Sequence, residues 1–136
     1  MRTITIGEII TDLDKTIPLS WQESYDNAGL LCGNKEEKCT GIYVCFDISE
    51  SVVEKAIANN CNLIVSHHPL VFRAMKRFTS KDNVTTTLLK AITNNIALYS
   101  SHTNLDASNP GVNTILANKL GDRKSTRLNS SHQVLS

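Results

Sequence analysis

The chain reads as an α/β fold built on a mainly parallel sheet flanked by helices, and three observations predict it. Residues 42–47 and 63–66 are two apolar, β-rich runs separated by a helical segment with short links. That is a βαβ unit, whose strands are expected to be parallel with a right-handed crossover. A second helical segment, 83–94, and a further apolar run, 96–100, repeat the pattern, so the three strands are expected to be mutually parallel. Each strand then runs directly into polar residues of ligand type: Asp47 after the first, His67 and His68 after the second, His102 and Asp106 after the third. In open α/β sheets, ligands bind beyond the carboxyl ends of the strands.

Taken in order, Ile6, Ile9, Ile10, Leu13 and Ile17 recur at helical spacing, with Thr5 as N-cap and Pro18 closing the segment, so 6–17 is predicted as an amphipathic helix. Residues 18–29 are rich in turn formers and carry Trp21, Tyr25, Asp26 and Asn27; an ordinary connection whose aromatics cover a helix end accounts for them. Residues 30–32 form a short predicted strand, and 34–40 a charged surface turn. Ser49 caps a helix running to about Asn59, with Val52, Val53, Ala56 and Ile57 as its stripe and Asn59-Asn60 as its stop. Strand 63–66 ends before Pro69, which has no N–H with which to extend a central strand. Residues 72–80 form a basic loop with Arg73, Lys76 and Arg77, read equally well as a solvated connection or as a grip on an anionic substrate. Helix 83–94 places Val84, Leu88, Leu89 and Ile92 on one face. Pro110-Gly111 opens a last helix with Val112, Ile115, Leu116 and Leu120, stopped by Gly121.

At 136 residues the chain is of single-domain size. Of 14 basic and 13 acidic residues, Arg123, Lys124, Arg127 and Asp122 lie in the last fifteen, which leaves 11 and 12 in residues 1–121, a net charge of −1. Such a balance lacks the clustered basic stripe expected for nucleic acid. No run approaches the ~20 apolar residues that span a bilayer. The four cysteines, Cys32, Cys39, Cys45 and Cys61, form no C-x-x-C pair, and Met1 to Thr5 has no apolar signal region, so a reduced cytoplasmic protein is expected. Cys45 and Cys61 are read as buried small hydrophobes.

A lone His-His pair at a strand end more often caps the strand and meets solvent than binds anything. His67, His68, His102 and Asp106 at one sheet edge are harder to dismiss, because imidazole and carboxylate together suit zinc, manganese or iron in a hydrolytic site. Adjacent residues of an extended chain point to opposite faces, so His67 and His68 are expected to serve two neighbouring ions rather than one.

Three spaced segments, Tyr25-Asp26-Asn27-Ala28-Gly29-Leu30, Ser66-His67-His68-Pro69-Leu70 and Ser101-His102-Thr103-Asn104-Leu105-Asp106, followed by Gly111-Val112-Asn113, resemble the Nif-three-like family, whose members carry the label GTP cyclohydrolase I type 2 homologue. The resemblance covers residues 1–121. It implies a three-layer α/β fold, a dinuclear centre holding two divalent metal ions, often zinc or iron, and a ring-shaped homohexamer acting on a small-molecule substrate. Carried over by motif, His67, His68 and Asp106 are metal ligands and His102 lies beside the metals; under the hydrolase reading, Asp26, Asn27 and Thr103 are the candidates to orient substrate or water. The implied activity is that of a metal-dependent hydrolase; the alternative is a non-catalytic metal-binding or partner-binding module.

Family members are longer and supply a further His and Glu from a C-terminal His-x-x-x-Glu motif, which is lacking here; the only later histidine is His132. Residues 122–136 have no apolar periodicity and read as a non-family, artefactual tail on an N-terminal metal-binding segment, 1–121. With these ligands missing, the site is expected to be incomplete and its metal binding weak.

Overall fold

The computed structural model describes residues 2–108. The predicted helix following Pro110 and the tail from Asp122 lie outside the described residues.

A four-stranded sheet carries the fold. It is built from β1 (Gly29–Cys32), β2 (Ile42–Cys45), β3 (Leu63–Ser66) and β4 (Ala97–Ser100), in the spatial order β1-β4-β3-β2. β2, β3 and β4 are mutually parallel, in register from Ile42↔Leu63 to Cys45↔Ser66 and from Leu63↔Ala97 to Ser66↔Ser100. β1 pairs antiparallel with β4, so the sheet is mostly but not wholly parallel.

Side-chain alternation along the central strands divides the core in two. Ile64 and Leu98 face α2 (Glu50–Ala58) and α3 (Asn83–Thr93), where Val53, Ala56, Leu88 and Ala91 meet them. Leu63, Ala97 and Tyr99 face the opposite way, onto Ile6 and Ile10 of α1 (Ile6–Thr16). Helices on both faces of a sheet make three layers, as expected. β2 forms one edge, and Val44 on it is 74% exposed.

Local chemistry explains where the elements start and stop. Thr5 and Glu8 form a reciprocal capping box on α1; Ser49 accepts from Val52 N at the head of α2, and Asp82 from Thr85 N at the head of α3. Asn60 and Asn95 take left-handed φ values of 56° and 57° immediately after α2 and α3, a conformation that asparagine tolerates and that releases the chain into the next strand. Gly33 leaves β1 at φ 118°, with space for no Cβ: one would lie 2.4 Å from Ala97 Cβ.

Three expectations change. β2 ends at Cys45, two residues before Asp47, because the chain turns there toward the head of α2. The buried stripe of α3 is Thr85, Thr87, Leu88 and Ala91, while Val84 and Ile92 are exposed; small residues let α3 approach the sheet and α2, and the larger ones flank the contact. Cys45 and Cys61 are half-buried against the core rather than enclosed.

Candidate metal centre

β3 stops at Ser66, where backbone hydrogen bonds take over from the sheet ladder. Ser101 N donates to Ser66 O at 2.9 Å and His68 N to Phe46 O at 3.0 Å, so all three parallel strand ends are tied together one step beyond the sheet. Ser66 Oγ folds back onto His68 O at 2.8 Å. After β4 the chain enters the short helix α4 (Thr103–Asp106), whose Asp106 N donates to His102 O, returning the carboxylate to the sheet edge. Asn104, fully buried, fixes this turn: its Oδ1 accepts from His102 N and its Nδ2 donates to Ile17 O.

The three imidazoles converge. The donor atoms of His67, His68 and His102 lie within 4.8 Å of one another, a spacing that could hold a metal ion. The ring of His67 lies 4.9 Å from that of His68 and 5.2 Å from that of His102, centroid to centroid. The expectation that His67 and His68 point apart is therefore corrected: strand alternation does not extend past Ser66, and the tie of His68 to Phe46 turns both rings to one side.

Each histidine presents its Nδ1 to an oxygen acceptor. His67 Nδ1 lies 2.9 Å from Ser101 O, His68 Nδ1 2.6 Å from Asp47 Oδ1, and His102 Nδ1 2.9 Å from Asp26 Oδ1. A carbonyl or carboxylate oxygen can only accept, so each Nδ1 carries the proton, and in the neutral rings each Nε2 is left with a free lone pair. This is the tautomer that metal-ligating histidines use, oriented by the outer bond.

Asp106 supplies the acidic element. Its Oδ1 stands 3.8 Å from His67 Nε2, is buried, and has no hydrogen-bond partner among the described residues. Burial pushes its carboxyl above the usual carboxylate range, against the pull of His67, His102 and His68. Burial likewise depresses His67, aided by its two neighbouring histidines, although Asp106 opposes the shift. The pocket therefore disfavours charge on both groups, and a cation between them would satisfy the unpaired oxygen and the free Nε2 together. The donor set fits a divalent metal.

The loop before β1 is part of this site rather than an ordinary connection. Asp26, with no exposed side-chain surface, accepts from His102 Nδ1, from Thr103 N at 3.0 Å and from Thr103 Oγ1 at 2.5 Å. Burial raises its pKa, but these bonds and one from Asn27 N outweigh it, and the carboxyl lies below its ordinary value. Asn27 Nδ2 donates to Val71 O at 2.7 Å, fastening the basic loop. Tyr25 is exposed, its ring 6.4 Å from that of Phe72. Asp47, read from the sequence only as a polar strand end and not as a site residue, orients His68, and Phe46, which the sequence reading did not single out, lies with its ring 4.8 Å from that of His68.

Three helix-covered parallel strands that deliver histidines and a carboxylate to one edge define an α/β protein with a candidate metal centre. Comparison with known proteins narrows the class. The chain belongs to the Duf34/NIF3 (NGG1p interacting factor 3) family, whose model matches residues 4–134, a span that runs past Gly121. It is 32% identical over 133 residues to the GTP cyclohydrolase 1 type 2 homolog of Clostridium acetobutylicum, covering 98% of this chain and 50% of that protein. The protein of the same name from Staphylococcus epidermidis is 40% identical over 126 residues, covering 93% and 34%. The chain thus spans between a third and a half of these relatives. Among solved structures, a hypothetical protein of Staphylococcus aureus superposes with a TM-score of 0.84 at 37% identity over 88% of this chain and 40% of that one. A Bacillus cereus protein related to NIF3 gives 0.84 at 32%, over 89% and 33%. Among the described residues, no helix is long and apolar enough to cross a membrane.

Proposed function

We propose that this chain carries one wall of a divalent-metal centre and that the whole protein is a metal-dependent hydrolase acting on a small molecule. His67, His68 and Asp106 are assigned as ligands, with His102 beside them as a further donor. The observation that carries the reading is the shared state of the histidines: each Nδ1 is held by an oxygen acceptor, donor atoms of the three rings lie within 4.8 Å of one another, and the buried, unpartnered Oδ1 of Asp106 stands 3.8 Å from His67 Nε2. Such an ion, zinc, iron or manganese, would polarise the substrate and lower the pKa of a bound water. Asp47 and Asp26 hold His68 and His102 in the required tautomer, Thr103 anchors Asp26, and Asp26, Asn27 and Thr103 border the place where substrate or water is oriented.

A dinuclear centre and a homohexamer are proposed from the family resemblance. The exposed apolar residues Ile42, Val44 and Phe46 on and just beyond edge strand β2 support association of copies. Zinc titration by calorimetry near neutral pH tests the metal reading. Wild type is expected to bind, His68→Ala and Asp106→Ala to lose at least about tenfold in affinity, and Asp47→Asn to lose about 10–100-fold by releasing the His68 ring. Identical isotherms for all four proteins would refute it. Metal-dependent hydrolysis by the whole protein, abolished by His68→Ala, separates the enzyme from a binding module.

A further inference from the structure

Each carboxylate that orients a histidine is preceded in sequence by an aromatic residue. Phe46 comes before Asp47, the partner of His68, and Tyr25 before Asp26, the partner of His102. The Phe46 ring lies against the cluster, 5.0 Å from that of His67 and 4.8 Å from that of His68. Tyr25 has no ring contact with a histidine among the described residues. It meets Phe72 instead, at 6.4 Å and an interplanar angle of 68°, and Phe72 in turn stands 6.4 Å from the ring of His102 at 88°.

One turn builds this arrangement. Within Tyr25-Asp26-Asn27, Asp26 accepts from His102 and Thr103, Asn27 Nδ2 donates to Val71 O at 2.7 Å, and Tyr25 meets Phe72, the residue after Val71. The three residues that place His102 therefore also place Phe72 beside it. Tyr25 and Phe72 nonetheless remain 66% and 46% exposed. Both ring contacts of Phe72 are steeply inclined, so no ring stacks flat upon it among the described residues. Two aromatic rings held in water forgo the apolar burial that usually fixes such residues. Exposed aromatic surface beside convergent polar groups is the make-up of a ligand site. The separation of Phe72 from His102 is about the breadth of one ring, so a flat ring lying on Phe72 carries its substituent to the histidines.

We propose that Tyr25 and Phe72 form a stacking platform for a flat, unsaturated ring, and that the metal centre's substrate is an aryl or heteroaryl compound with its ring on the platform and its reacting group at the histidines. That the ring belongs to the substrate rests on the metal-centre reading; that the platform takes a flat ring does not, and two measurements separate them. Quinoline, followed by saturation-transfer NMR on the chain in EDTA, reads the platform alone. A signal is expected from wild type and from Phe72→Tyr, and its loss from Phe72→Leu, which keeps the apolar bulk and removes the ring. Phe78→Leu, which alters an exposed aromatic of the same loop that has no ring contact among the described residues, should keep the signal. Benzohydroxamate and cyclohexanecarbohydroxamate, titrated by calorimetry into the zinc-loaded chain, carry the same metal-binding head on a flat ring and on a puckered one. The flat ring is expected to bind about three- to tenfold more tightly, the worth of one aromatic contact. Phe72→Leu should abolish that preference and leave the affinity of the cyclohexyl compound unchanged. Absence of the quinoline signal from wild type, or its survival in Phe72→Leu, overturns the platform. Equal affinities of wild type for two hydroxamates that both respond to zinc overturn the substrate class. A Phe72-dependent quinoline signal, with hydroxamates that bind no better with zinc than in EDTA, leaves the platform standing and removes the metal centre, and the substrate assignment with it.

Discussion

Replacing Asp106 by asparagine is expected to stabilise the metal-free protein while weakening its response to metal. In the native fold Asp106 Oδ1 is buried, unpartnered among the described residues and 3.8 Å from His67 Nε2, on a side chain only 10% exposed. An acceptor left unpaired in such a place costs about 1–3 kcal/mol. The amide keeps the shape, removes the buried charge, and offers an N–H that a small rotation brings to the free lone pair of His67. The expected gain is about 1–2 kcal/mol, which for a chain of this size raises Tm by roughly 4–8 °C. Burial raises the native carboxyl's pKa, so the fold binds this proton more tightly than the unfolded chain does, and the carboxylate subtracts stability as pH rises through the raised value. Differential scanning calorimetry in EDTA and with excess zinc measures both effects. Wild type at a zinc concentration 100 times its Kd gains about 2.7 kcal/mol, and the variant much less. A variant that melts at or below wild type in EDTA, or gains as much from zinc, refutes the reasoning.

Further expectations concern the frame that holds the site. Ser49→Ala removes the N-cap of α2 and is expected to cost about 1 kcal/mol by urea denaturation. Gly33→Ala forces a Cβ against the Ala97 backbone at 2.8 Å and a left-handed φ on alanine; a loss of about 2 kcal/mol or more in the same assay is expected. Ile64→Ala empties a fully buried position between α2 and α3 at a cost of about 2–5 kcal/mol, read from the shift in denaturation midpoint. For His67 the sign is opposite to that of Asp106. Its depressed native value adds stability that is present above the unfolded value near 6.5 and is lost as pH falls toward the native one. His67→Gln is therefore expected to flatten the fall in metal-free stability measured by thermal melts below pH 6.5.

The parallel strands, their helices and the polar residues at their ends were legible because each rests on local pattern: apolar runs, capping residues and short links. The rotation of α3 was not, since Val84, Leu88, Leu89 and Ile92 form a good apolar face by spacing alone. Only the packed sheet and α2 show that small Thr87 and Ala91 fit closer. His67, His68, His102 and Asp106 were found from strand ends and motif, yet the facing of the two adjacent histidines was misjudged because strand alternation was extended beyond the last paired residue. Asp26 was placed in the site by resemblance alone. Its bonds to His102 and Thr103 span 76 and 77 residues, a distance no local pattern encodes.

That long span also orders assembly. The unit from β2 through β4 closes over short crossovers, whereas β1 must return across more than half the described chain to lie against β4, and closing so large a loop carries the greater entropic cost. The central strands and α2–α3 are therefore expected to form first, with His67 and His68 already at their ends. The N-terminal arm then docks as a latch that turns His102 into place through Asp26. Pulsed hydrogen exchange that protects β3 before β1 would show this order, and the competence of the histidine cluster would appear only with the last step of folding.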